Sequence, residues 1–121
     1  MLFEIERTTV FDTPVLRPVG ELDLATAPML SKAANEELVL EPASLVVDLT
    51  PTTFLDSSGA RTLAQLARRA AEHGVALQVV CPRSNTAVRL VIDLLELRSV
   101  VPVVESAPGR PAGLVGGEDA P

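Results

Sequence analysis

A short continuous apolar run, Leu45-Val46-Val47 within Ser44–Leu49, leads into Phe54-Leu55-Asp56-Ser57-Ser58-Gly59, after which apolar residues recur at helical spacing from Ala60 to Ala71. A strand apolar on both faces belongs in the middle of a sheet, and a helix that follows it directly must pack back on that sheet. This one junction commits the chain to an α/β arrangement. It also places Ser57 and Ser58 at a helix N-terminus, where unpaired N–H groups and the positive end of the helix dipole favour an anion. A serine that becomes an anion on phosphorylation suits that position. Asp and Ser are equally the ordinary residues of a helix N-cap, so the string by itself also reads as plain capping.

The rest of the chain arranges itself around the junction. Phe3–Val10 and Val15–Val19 read as a β-hairpin turned by Phe11-Asp12-Thr13-Pro14. After Gly20-Glu21-Leu22-Asp23-Leu24, Thr26 is placed to cap a helix with Leu30, Ala33, Ala34 and Leu38 on one face, ended by Glu41-Pro42. The helix after the serines buries Ala60, Leu63, Ala67 and Ala70, turns Arg61, Gln65, Arg68, Arg69 and Glu72 outward, and stops at Gly74. Val75–Cys81 is a further buried strand, Asn85–Leu97 a third helix capped by Ser84, and Val100–Val104 a last strand that Pro102 places at an end or an edge. The third helix is wide in its apolar face: Val88, Val91, Ile92 and Leu95 form a core stripe. Leu90, Leu94 and Leu97 lie beside it, either as more core or as a surface for a partner or a second copy, hence a weak homodimer. The expected fold is a small mixed sheet with helices mainly on one face, over residues 1–105. The proline- and glycine-rich residues 106–121 read as a disordered tail.

Composition removes several classes of function. The 121 residues suit one domain, and with no Trp, no Tyr and three Phe the core is built from Val, Leu, Ile and Ala. A net charge of −6 and the scarcity of aromatics argue against nucleic acid as a partner. The one cysteine, Cys81, makes neither an internal disulfide nor a multi-cysteine metal site, and reads as core in a chain from a reducing compartment. No apolar run approaches the ~18 residues of a membrane span, and the N-terminal residues are charged too early for a signal sequence; a cytoplasmic protein without membrane insertion is expected.

Catalysis finds no constellation. A hydrolase would recruit Ser57 or Ser58 with Asp56 and the one histidine, His73. That histidine lies fifteen residues beyond Ser58 on the same helix, roughly 22 Å at 1.5 Å per residue, where a base must stand about 3 Å from its nucleophile. His73 reads instead as a partner of the helix C-terminus. Gly20, Gly59 and Gly74 are isolated, so there is no nucleotide-binding glycine loop, and no ligand spacing suggests a metal or other cofactor.

Three segments in order, Val19-Gly20-Glu21-Leu22-Asp23, Val46-Val47-Asp48-Leu49 running into Phe54-Leu55-Asp56-Ser57-Ser58-Gly59, and Ala87-Val88-Arg89-Leu90-Val91, resemble the STAS domain of bacterial anti-sigma factor antagonists over roughly Val15–Val103. The resemblance implies the STAS fold, with Ser58 the phosphoacceptor (Ser57 the second choice), Ser57 its neighbour and cap, and Asp23 part of an adjoining partner-binding loop. It implies a non-enzymatic switch: an anti-sigma factor serine kinase is bound while Ser58 is unmodified, a sigma factor is freed, phosphorylation releases the kinase, and a serine phosphatase resets the state, as in stress-response transcription control. The expected contact surface is Asp23, Leu24 and Thr26 with Asp56, Ser57, Ser58, Gly59, Thr62 and Gln65. A second reading is a STAS adaptor subunit of a lipid-trafficking transporter, docked by the same loop without a kinase. Ala60 stands where the family often has a larger aliphatic residue, Glu96 where it commonly has a glycine, and the tail where many members add a helix.

Overall fold

The computed structural model describes residues 2–106. The hairpin pairs β1 (Glu4–Val10) with β2 (Thr13–Leu22), and the connection is tighter than the four residues expected. Phe11 and Asp12 alone make the turn, both at positive φ (49° and 65°), which suits the twist of a two-residue hairpin and leaves Thr13 and Pro14 inside β2. Then follow α1 (Ala27–Leu38), β3 (Ser44–Asp48), β4 (Thr52–Leu55), α2 (Ser57–Glu72), β5 (Ala76–Val80), α3 (Thr86–Leu94) and β6 (Val103–Val104). The sheet order is β1-β2-β3-β5-β6, antiparallel at β1–β2 and parallel elsewhere, with β3 central as its two-faced apolar run requires.

One strand escaped the sequence reading. β2 pairs with β3 at Val15 and Leu16, then with β4 at Gly20, Glu21 and Leu22. Pro18 lies between these two pairings, where β2 passes from one partner to the next and a missing N–H costs least. The Thr52 hydroxyl donates to its carbonyl at 2.7 Å.

Alternation divides the two faces of the sheet. Leu16, Leu45, Val47, Leu77 and Val79 meet Leu30, Ala34 and Leu38 of α1, Leu63, Leu66 and Ala70 of α2, and Val88 and Ile92 of α3 in one continuous core. Among the described residues the opposite face holds the small cluster Val15, Val46 and Val80, with Val104 packed against it and no helix contributing. The mixed sheet with helices on one face is therefore as expected. Each fully buried Leu or Ile in the main core contributes about 1.5–3 kcal/mol of transfer free energy, which makes this layer the principal source of stability. Arg7 ties β1 to α1 through Glu36 (2.7 Å) and Glu37 (2.6 Å), exposed pairs that fix orientation more than they stabilise. Cys81 is buried in the main core, and burial pushes its thiol above its ordinary range. It is core, as its apolar strand implied.

The C-terminal third departs most from expectation. α3 starts at Thr86 with Asn85, not Ser84, as its cap; Asn85 Oδ1 accepts from Val88 N at 3.4 Å. Asn85 wins because its amide also donates to the Leu49 and Thr52 carbonyls at 3.0 and 2.9 Å, fastening α3 to the β3–β4 connection. The helix ends at Leu94, because Glu96 takes the left-handed conformation (φ 52°) that a glycine would hold at lower cost. Leu97 then falls in a 3-10 turn, Leu97–Ser99, and is buried, and β6 shrinks to two residues. Of the expected stripe, Val88 and Ile92 are core and Val91 packs against it, but Leu95 is exposed; of the neighbouring face Leu97 joins the core while Leu90 and Leu94 are exposed. The expected tail falls almost wholly on residues 107–121, which lie outside the described residues.

Candidate functional site

The site is built where β2 and β4 end side by side. Leu22 pairs with Leu55, so the Asp23 loop and the serine loop leave the sheet as neighbours. Asp56 N donates to the Leu22 carbonyl at 3.3 Å, and Leu24 N returns a bond to Asp56 Oδ2 at 3.3 Å. The two loops that the sequence placed at one sheet end are thus stitched together. Within the first loop Asp23 Oδ1 accepts from the backbone of Ala25 (3.0 Å) and Thr26 (3.1 Å). Thr26 is the N-cap residue of α1, but its hydroxyl makes no cap bond; it donates to the Glu21 carbonyl at 2.6 Å and accepts from Asp23 N at 2.9 Å, holding the loop instead.

The cap of α2 is Asp56, whose Oδ1 accepts from Gly59 N at 2.9 Å, so Ser57 is not the cap. Asp56 takes the cap rather than Ser57 because its second oxygen also receives Leu24 N from the neighbouring loop. Ser57 and Ser58 are the first two residues of α2, Ser57 exposed and Ser58 half-buried, and neither hydroxyl makes a side-chain hydrogen bond among the described residues. Replacing Asp56 by alanine is expected to cost ~1 kcal/mol and to lower the melting temperature by about 4–8 °C, whereas Asp56→Asn, which still caps, stays near wild type; thermal unfolding followed by circular dichroism checks both.

Gly59 explains the glycine of the string. A Cβ there would lie 2.5 Å from the Leu22 carbonyl oxygen and 2.6 Å from Leu55 Cδ1. The first turn of α2 therefore presses on the end of β2, and this contact sets the height of Ser58 above the sheet. Beyond it, Leu24, Ala27, Pro28 and Ser31 face Ser58, Arg61, Thr62 and Gln65 across an open groove of about 330 Å³ between α1 and α2. Two members of the expected contact surface offer little area: Gly59 is buried and Thr62 is 8% exposed, so they shape the site rather than present it. Leu24, at 76% exposed, is its most prominent apolar member.

Phe54 was missed as a candidate. It pairs with Glu21 in the β2–β4 register and remains 46% exposed, next to the buried Leu55. No sequence signal marks it, because β4 is four residues long and its two middle residues, Thr53 and Phe54, are both exposed. His73 closes the far end of α2, with Nδ1 3.7 Å from Glu41, remote from both serines. Among the described residues no three His, Cys, Asp or Glu side chains gather as a metal site, and no helix is long and apolar enough to cross a membrane.

The chain thus folds as a mixed sheet covered by helices on one face, with an Asp-Ser-Ser-Gly turn starting the helix that follows β4. The family model described as STAS domain matches residues 4–107, and the chain belongs to that family. The anti-sigma-F factor antagonist RsfB of Mycobacterium tuberculosis is 44% identical over 50 residues, 41% of this chain and 41% of that protein, so the likeness spans less than half of the relative's length. The crystal structure of an anti-sigma factor antagonist from Mycobacterium paratuberculosis matches with a TM-score of 0.72 at 27% identity, over 87% of each chain. The anti-sigma factor antagonist SpoIIAA in its unphosphorylated form shares the fold, with a TM-score of 0.62 at 17% identity over 88% of this chain and 90% of that one.

Proposed function

We propose that this STAS domain is an anti-sigma factor antagonist controlled at Ser58. It binds an anti-sigma factor serine kinase while Ser58 is unmodified and so frees a sigma factor; the kinase then uses its own ATP to phosphorylate Ser58 and is released. A serine phosphatase restores the first state. The domain itself works by binding, in the cytoplasm, and carries no cofactor. The observation that supports this reading best is the placement of Ser58: half-buried at the second position of α2, on the wall of the α1–α2 groove and beside the stitched Asp23 loop. A phosphate there adds about −1.5 to −2 charges and three acceptor oxygens at the centre of the contact surface.

The direct test incubates the protein with ATP and an anti-sigma factor kinase of the same organism and maps the product by mass spectrometry. Phosphate on Ser58 in the wild type and none on Ser58→Ala supports the reading. An unmodified protein that instead stays bound to transporter subunits, equally as wild type and as Ser58→Glu, would make it the adaptor considered above. The exposed Leu90 and Leu94 of α3, with Leu95 just beyond its end, further support weak self-association. Sedimentation equilibrium should then show a mass that rises with concentration, and a mass constant at the monomer value removes the dimer.

A further inference from the structure

We propose that Arg61 is the intramolecular counter-ion of a phosphate carried on Ser58, so that the domain offsets part of the charge of its own modified state. The inference rests on Ser58 as the modification site and names the residue that governs that site once modified.

Ser58 and Arg61 are three residues apart on α2, a spacing that brings side chains within about 5–6 Å at Cβ, and both line the same groove. Arg61 is the one charged residue in that lining. α1 contributes Ala27, Pro28 and Ser31, none of which titrates, so no carboxylate across the groove competes for the guanidinium. Arg61 is exposed and holds no ion pair among the described residues.

The modified site needs such a cation. A dianion on Ser58 would share the helix end with the carboxylates of Asp56 and Asp23, and both of these are already fixed by backbone donors. Gly59 N, which could otherwise serve a phosphate, is held by Asp56 Oδ1. The Ser57 and Ser58 N–H groups remain as neutral donors at the helix end, and the counter-charge must come from a side chain; the planar fork of an arginine donates to phosphate oxygens in pairs. The other cation near the groove, Arg69, lies eleven residues beyond Ser58, about 16 Å along the helix, and reaches across to the Ser31 hydroxyl at 3.4 Å.

Phosphoserine installed at position 58 during translation makes the test independent of any kinase. Phosphorus NMR then follows the second ionisation of the phosphate in the wild-type protein, Arg61→Gln and Arg61→Lys. The midpoint should lie about 0.15–0.4 pH unit higher in Arg61→Gln than in the wild type, with Arg61→Lys recovering part of the difference and 1 M salt shrinking it. Equal midpoints in the wild type and Arg61→Gln would overturn the inference and leave the proposed function standing. A kinase that ignores Ser58 would overturn the proposed function and leave this result untouched.

Discussion

Gly59→Ala is expected to destabilise the protein by about 2–3 kcal/mol, lowering its melting temperature by roughly 10–20 °C. Two effects oppose each other. Alanine favours a helix interior over glycine by about 0.8–1.0 kcal/mol. Against it, the new methyl would stand 2.5 Å from the Leu22 carbonyl and 2.6 Å from Leu55 Cδ1. The first of these atoms is sheet backbone paired between β2 and β4, which is not free to move aside, so α2 must lift and Ser58 with it. The clash outweighs the propensity. Gly74 is the control, since it has φ +70° and nothing within 4 Å of an added Cβ. Gly74→Ala should cost only the left-handed conformation, about 1–2 kcal/mol, at the far end of α2. Circular dichroism melts of the two variants should therefore separate, and only Gly59→Ala should also weaken partner binding. A Gly59→Ala melting temperature within about 2 °C of wild type would show that α2 is not seated on the Leu22 carbonyl.

The second large effect is on binding. Phosphorylation of Ser58 is expected to weaken the complex with the anti-sigma factor kinase more than a hundredfold, a change of about 3 kcal/mol. The fold should hardly respond, because the first turn of a helix tolerates negative charge and Ser58 is only half-buried. Affinity and stability should thus part company: a large loss of affinity with a melting temperature shifted by only a few degrees. Ser58→Ala should keep the affinity and refuse the phosphate. Loss of affinity in Ser58→Ala as well would mean that the hydroxyl is itself an essential contact.

Much of the site was legible in the sequence, because it depends on local chemistry. The two-faced apolar run fixed β3 at the sheet centre, and Asp56-Ser57-Ser58-Gly59 announced a helix start that the structure places within one residue. The choice of Asp56 over Ser57 as cap was not legible, since both residue types cap and the outcome turns on Asp56 also receiving Leu24 N from another loop. The same holds for Asn85 over Ser84, decided by the Leu49 and Thr52 carbonyls far away in sequence. β4 was hidden because four residues between Pro51 and Asp56 are too few to show a period. The burial of Leu97 was hidden for a different reason: the helix breaks at Glu96, and residues beyond the break no longer follow its face. The contact that makes glycine necessary at position 59 lies in the β2–β4 pairing, and no reading of α2 alone contains it.

The central claim is that one phosphate on Ser58 switches partner binding without unfolding the domain. Isothermal titration of an anti-sigma factor kinase from the same organism with unmodified protein, and with protein carrying phosphoserine at position 58, tests it most directly. The account predicts tight binding of the unmodified form and at least hundredfold weaker binding of the phosphorylated form, with both forms melting within a few degrees of each other. Equal affinities, or a phosphorylated form that is simply unfolded, would contradict it.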